Sequence, residues 1–286
     1  MKSRWLINLL LLSGAVLLTL VVWLEPGVEK ETPKVKVTAL EREQVNRIHL
    51  QRQRHPDLAL EKNAAGHWQI QHDPLLPADS FHVNALIKLA DQEAVRSYPV
   101  SALDLTRLEL DPPASSITLN QTRIDFGRQE ALESLRYVRR GDRVLLIPDL
   151  YQYLVDADYS QFVRRRLFAE GRHITAIHLP DFSLQKDDGQ WHISAQQQVS
   201  ADDIQNFVQR WETVSALLVK KAGGKGDQAI RIELDNPPEV ISFRMTSKDD
   251  ELLLIPDGSS IQYNLGNKDL RLLQPTQPPT GGDLGE

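Results

Sequence analysis

The chain repeats itself. Ile48-His49-Leu50 returns as Ile177-His178-Leu179, Leu60-Glu61-Lys62 as Leu184-Gln185-Lys186, and Gly66-His67-Trp68-Gln69-Ile70 as Gly189-Gln190-Trp191-His192-Ile193. Ala78-Asp79 is matched by Ala201-Asp202, and Glu109-Leu110-Asp111-Pro112-Pro113 by Glu233-Leu234-Asp235-Asn236-Pro237-Pro238, so the offsets run 129, 124, 123, 123 and 124. A register this steady constrains the fold more than any composition does, because each copy must be a version of one supersecondary unit. Further on, Leu145-Leu146-Ile147-Pro148-Asp149 is identical to Leu253-Leu254-Ile255-Pro256-Asp257 at an offset of only 108. Keeping the register instead pairs Ile124 with Leu252, Tyr137 with Tyr263 and Leu146-Ile147 with Leu272-Leu273. The constant register is preferred, since the pentapeptide match would delete a hairpin.

Within copy one, alternation over residues 45–50, 58–62 and 67–71 predicts three short antiparallel strands, the last two joined by a hairpin around Asn63 and Gly66. Ala78-Asp79, or Ser200 to Asp202 in copy two, then starts a helix with Phe81, Ala85 and Leu89 on one face. The double proline breaks the chain before a meander over residues 116–120, 122–127, 135–139 and 143–147. A helical stretch over residues 150–168 leads into copy two. The expected body is α+β: two tandem copies of a mainly antiparallel β module with packed helices, over residues 45–168 and 169–274.

Ahead of it, residues 5–24 (WLINLLLLSGAVLLTLVVWL) carry no charge. At about 1.5 Å per residue, twenty residues of helix cross a bilayer core of roughly 30 Å. A cleaved signal peptide has a shorter apolar region and a small-x-small site, which Val22-Trp23-Leu24-Glu25-Pro26 does not offer. Lys2 and Arg4 precede the segment, and Glu25 is the first acid after it. By the positive-inside rule residues 1–4 are expected in the cytoplasm and everything after the span in the periplasm, at the inner membrane. Residues 25–44 read as a linker, with residues 34–40 free to join the first sheet, and residues 275–286 as a disordered tail.

Composition then excludes whole classes. Cysteine is absent, which removes disulfides, thiolate metal sites and cysteine nucleophiles. The net charge is −6, and without Lys2 and Arg4 the remainder holds 31 basic against 39 acidic residues, a net of −8. Such a surface is unsuited to nucleic acid.

The order of a Gly-x-Trp-x-Ile strand (Gly66 to Ile70), a Pro-Ala-Asp helix start (Pro77-Ala78-Asp79), a Leu-Asp-x-Pro break (Leu110 to Pro113) and a meander resembles the bacterial family called domain of unknown function 4340. Relatives tend to have glycine where this chain has Glu109 and Glu233. The resemblance implies an envelope protein with one N-terminal membrane helix, related to auxiliary components of ABC-type transport systems. It implies no catalytic residue and no cofactor.

Among individual residues, Trp68 and Trp191 lie two positions before an Ile and read as core, as does Trp211. His49 and His178 are equivalent in the copies but point away from the apolar face, and no metal-ligand spacing is present. Gly223-Gly224-Lys225-Gly226 lacks the remaining residues of a phosphate loop and reads as a linker. Arg164-Arg165-Arg166 lies at the junction, and Arg136, Arg139, Arg140 and Arg143 cluster on a hairpin around Gly141. The bland reading of both groups is solvated charge. Should either bind a partner, the exposed hairpin is the candidate interaction patch.

The leading expectation is a non-enzymatic membrane-anchored accessory that binds an envelope partner, with an ABC-type transporter complex as the partner class. One alternative is a cell-wall or glycan-acting enzyme with a cleft between the copies. The other is a passive spacer or ligand-binding module.

Overall fold

A computed structural model of the chain describes residues 5, 10, 12–19, 35–194, 199–224, 226–248 and 251–275. Half of the expected span over residues 5–24 lies outside them, and residues 12–19 are helical. Among the described residues no helix is long and apolar enough to cross a membrane. The expected tail after residue 275 also lies outside the described residues.

Residues 35–44 are not the linker that their charge suggests. β1 (Val35–Lys36) pairs with residues 93–94, Val37 and Thr38 are buried, and Thr38 donates from Oγ1 to the Ala90 carbonyl at 2.6 Å. The Arg42–Asp91 ion pair, 2.8 Å long, fastens the following turn. The valines supply enough apolar surface to tie this segment down beside the main sheet, without joining it.

The first large sheet begins with β2 (Arg47–Arg52), β3 (Leu58–Lys62), β4 (Trp68–Ile70) and the short β5 (Leu76–Pro77). Helix α1 (Ser80–Ile87) follows, then β6 (Glu93–Ala94), the partner of β1, and the edge strand β7 (Arg96–Pro99). The meander is β8 (Ser115–Leu119), β9 (Thr122–Gln129), β10 (Leu135–Arg140) and β11 (Arg143–Pro148). Its spatial order is β5-β4-β3-β2-β8-β9-β10-β11-β7, antiparallel throughout. The chain therefore crosses the sheet with α1, lays β7 on the far edge, and fills the gap with the meander.

The second half repeats this path. β12 (Ile174–His178), β13 (Ser183–Asp187) and β14 (Gln190–Ile193) precede α3 (Ala201–Thr213), the connector helix α2 (Gln152–Val155) having come before them. β15 (Leu218–Lys221) then forms the edge, and β16 (Gln228–Leu234), β17 (Glu239–Lys248), β18 (Glu251–Pro256) and β19 (Ile261–Leu265) the meander. The order β14-β13-β12-β16-β17-β18-β19-β15 equals that of the first sheet without β5.

The expected register holds through the opening three strands. Lys62 faces Trp68 across β3 and β4 as Lys186 faces Trp191 across β13 and β14, each ammonium over the indole at 5.2 and 5.9 Å. In the meander the register is corrected. Val138 lies opposite Phe126 as Leu254 lies opposite Met245, and Leu145 opposite Val138 as Tyr263 opposite Leu254. Tyr263 thus corresponds to Leu145, not Tyr137; Ile124 corresponds to Phe243, not Leu252; and Leu146-Ile147 corresponds to Asn264-Leu265, not Leu272-Leu273. The identical pentapeptides occupy β11 and β18, which are not equivalent.

The two Leu-Asp proline steps differ as well. Residues 109–113 belong to the long connection from β7 to β8, whereas Asp235 to Pro238 make the turn from β16 to β17. That turn is held by Arg172, which donates to the carbonyls of Asp235 and Pro237 at 2.9 and 2.8 Å.

Both helices bury an i, i+3, i+4 stripe against the inner face of their sheet: Val83, Leu86 and Ile87 in α1, and Ile204, Phe207, Val208 and Trp211 in α3. Phe81, expected on the buried face, is 77% exposed because it lies on the opposite side of that stripe. Asp79 and Ser200 cap the helices through their side chains. Residues 150–168 are not one helix. Only a single turn of α2 and a 3₁₀ turn over Tyr159–Phe162 are helical, and residues 163–167 instead bond to strands and loops on both sides.

One hydrophobic cluster runs from Val37 through Phe162, Leu167 and Phe168 to Leu272 and includes the interiors of both sheets. Burial of each large side chain contributes about 1.5–3 kcal/mol. Leu110, Leu135, Val144 and Leu146 are buried outside that cluster, under the β7–β8 connection on the outer face of the first sheet.

Candidate functional site

The arginines of the β10–β11 hairpin do not form one patch. Pairing across the two strands places Arg136 with Ile147 and Arg140 with Arg143 on one face, and Arg139 with Val144 on the other. Arg136 is a structural residue: its guanidinium holds both Asp149 oxygens at 2.7 and 2.9 Å and the Gly127 carbonyl at 2.5 Å. Arg143 donates twice to Ser97 Oγ. Arg139 bonds the Gly141 carbonyl at 3.2 Å, and the buried Nε of Arg140 has no partner among the described residues.

The second arginine group is where a site forms. Residues 163–167 run extended between the two modules. Arg164 N donates to Pro77 O at 2.9 Å, Leu167 N to Val214 O at 3.5 Å, and Ala216 N to Arg165 O at 2.9 Å. Each N–H satisfied in this way fixes the strip in place. It forms one wall of a pocket of about 430 Å³, whose other walls are residues 74–77 and the inner ends of β17, β18 and β19. Leu75, Leu76, Phe243 and Ile261 give it an apolar lining; Arg164, Tyr263, Ser242 and Ser259 supply the polar groups.

Burial is the largest influence on Arg164 and pulls its pKa below the ordinary arginine value, with Arg166 adding to the effect. Its Nε donates to the Arg166 carbonyl at 3.2 Å, while its two terminal amino groups have no partner among the described residues. Tyr263 is 4% exposed, and its hydroxyl likewise has no hydrogen-bond partner among the described residues. Burial pushes that phenol up to about 12. The rim acids are committed elsewhere: Glu239 to Arg172 at 2.9 Å and Asp257 to Arg244 at 3.6 Å.

Beside the pocket, His72 stacks on Tyr159 with centroids 5.1 Å apart, and Ser260 Oγ lies 3.4 Å from both His72 Nε2 and the Tyr159 hydroxyl. His72 Nδ1 is buried without a partner among the described residues, so nothing orients this ring as a nucleophile's base is oriented. The trio latches the second module to the first.

The profile of the family described as "Domain of unknown function (DUF4340)" matches residues 68–238, more than half of the chain. The chain belongs to the DUF4340 family. No curated protein and no solved structure matches it. The DUF4340 segment runs from β4 to the β16–β17 turn, so it contains Arg164 and the connector but stops before Glu239, where the far wall of the pocket begins.

Among the described residues no group of His, Asp and Glu could hold a metal ion. His49 and His178 face outward, as expected, within 3.5 Å of Asp57 and Glu233. Trp68 and Trp211 are buried, and Trp191 is half-buried against the core. Of the glycine-rich run, which lies in the β15–β16 loop, Gly223 donates its N–H to Gln262 Oε1 at 2.9 Å, and Lys225 lies outside the described residues. Sequence reasoning noted Arg164 only as part of a charged triplet, although its apolar flanks Phe162-Val163 and Leu167-Phe168 signal a strip that is mostly buried. Nothing in the sequence singles out Tyr263.

Proposed function

We propose that this DUF4340 protein is a non-enzymatic accessory, held at the inner membrane by one helix over residues 5–24, whose two modules brace a partner in the periplasm. The observation that carries this reading is the continuous core through the connector, which makes two β modules behave as one stiff body. What recurs between the modules is scaffold: strand order, capped helices and the Lys–Trp contact. An ABC-type transport complex is the partner class that the resemblance to the family suggests, and a membrane helix over residues 5–24 would be compatible with it.

Cross-linking of the full chain in its native membrane, followed by mass spectrometry, tests the proposal. Permease or ATP-hydrolysing subunits should be recovered reproducibly, and removal of residues 5–24 should release the chain from the membrane fraction. A chain that cross-links to nothing, or stays in that fraction without those residues, overturns the reading.

The junction pocket favours the ligand-binding alternative over the glycan enzyme. Both of its rim carboxylates are engaged by arginines, whereas a glycosidase needs two carboxyl groups facing a common bond.

A further inference from the structure

We propose that the pocket between the modules binds a single carboxylate carried on a short apolar body, with the Arg164 guanidinium and the Tyr263 hydroxyl as its receptors. Three observations lead there. A guanidinium carries five donors in a planar fork that fits a carboxylate, and here only Nε is used internally. The Tyr263 hydroxyl lines the same pocket as the arginine and has no protein partner among the described residues, so its proton is open to something that enters. Finally, a volume of about 430 Å³ is at the small end of ligand pockets, and Leu75, Leu76, Phe243 and Ile261 offer a short hydrocarbon or a single side chain apolar contacts beside a lining that is otherwise polar.

Charge selects among anions. Among the described residues of the pocket lining Arg164 is the one cation, and Glu239 and Asp257 stand on its rim. Both rim acids are already paired, with Arg172 and Arg244, so a monoanion is matched one to one by Arg164, whereas a dianion such as a phosphate monoester would bring a second negative charge with no cation on the lining to meet it. A neutral ligand would leave the guanidinium desolvated without compensation.

The site is independent of the proposed membrane role, since it could be occupied whether or not the protein braces a transporter. The test uses the full chain in an uncharged detergent and follows amide chemical shifts during titration. Hexanoate is the first probe, hexanamide its neutral isostere and hexyl phosphate its dianionic counterpart; N-acetylleucine presents the same carboxylate on a peptide unit. Hexanoate or N-acetylleucine should saturate with shifts centred on residues 75, 76, 164 and 263, at least tenfold tighter than hexanamide and hexyl phosphate. The stronger of the two identifies a free acid or a peptide C-terminus as the source.

Arg164→Gln should weaken the preferred carboxylate at least tenfold. Because Arg164 lies in the connector, Leu75→Glu provides a second variant at a rim position that is 54% exposed, where folding is insensitive and an added negative charge repels the ligand. It should lose the same affinity while melting like the parent. Saturation by hexanamide as tight as by the carboxylates, full affinity in Leu75→Glu, or no saturable binding of either carboxylate overturns the proposal.

Discussion

The carbonyl oxygen of Leu108 occupies the space that a side chain on Gly127 would need: a β-carbon built there would lie 2.4 Å from it and 2.8 Å from Leu110 Cγ. This contact explains the Leu-Asp-x-Pro step of copy one. Asp104 accepts from Thr106 N at 3.1 Å, Arg128 N donates to Leu108 O at 2.8 Å, and Leu110, 1% exposed, lies against Gly127 of β9. The connection from β7 to β8 can lie flat on β9 only because β9 has a glycine under it.

Gly127→Ala should therefore lower the unfolding free energy by about 2–3 kcal/mol, the upper part of the range for overpacking, because a main-chain carbonyl has to move. Gly224→Ala, where nothing lies within 4 Å, should change it by less than about 0.5 kcal/mol. Urea midpoints at constant slope measure both. Equal midpoints for the two variants would remove the close-approach explanation.

Glu109 has φ of 57°, the left-handed region that disfavours side chains. Relief of that strain is worth about 1–2 kcal/mol, offset by roughly 0.5–1 kcal/mol for the freer unfolded chain. Glu109→Gly should stabilise the protein by about 0.5–1 kcal/mol. Glu233 sits in the regular strand β16, so Glu233→Gly should destabilise by a similar amount. Thermal unfolding of the pair decides it, since one shared sign would mean that the two motifs are equivalent after all.

These two glutamates also show where sequence reading stops. Local alternation places β2 to β4 and β8 to β11, because Ile48, Leu50, Ile117 and Leu119 must share a face wherever their strands pair, but not the two-residue strands β1, β5 and β6. The register of the meander was not legible, since many of its strands carry the same Leu and Ile alternation and the copies differ in loop length. Residues 100–114 join β7 to β8, but only residues 222–227 join β15 to β16. The edge strands β7 and β15 escape notice because Arg96, Pro99, Lys220 and Lys221 give them a polar look. The pocket depends on long-range backbone pairing of residues 163–167 with Pro77 and Val214, which no local pattern announces.

Asp79 accepts from Phe81 N at 2.7 Å, and Ser200 accepts from Asp203 N at 3.1 Å, one cap in each module. Asp79→Ala and Ser200→Ala should each cost about 1 kcal/mol, within the roughly 0.5–2 kcal/mol range for lost caps. Their effects should add in the double variant, because the helices lie in separate modules. Denaturant titration of all three variants checks this, and a combined loss well above the sum would mean that the modules are coupled through their helices.

The unpaired Tyr263 hydroxyl makes a pH prediction with a definite sign. Its pKa rises from an ordinary 10.0 to about 12 on folding, with desolvation by burial the largest cause. Between those values the unfolded chain has lost the proton and the folded chain still holds it, so stability is intact below pH 10.0 and falls as pH rises toward about 12. The loss amounts to roughly 3 kcal/mol at 1.36 kcal/mol per pH unit. Tyr263→Phe removes this titration and should hold its stability better over that window. At neutral pH it should differ from the parent by less than about 0.5 kcal/mol, since no hydrogen bond is given up. Tyr151, also raised by burial, is common to both proteins and cancels in the difference. Unfolding free energies from pH 8 to pH 12 provide the comparison, and parallel profiles would mean that water already reaches the phenol well enough to let it ionise in place.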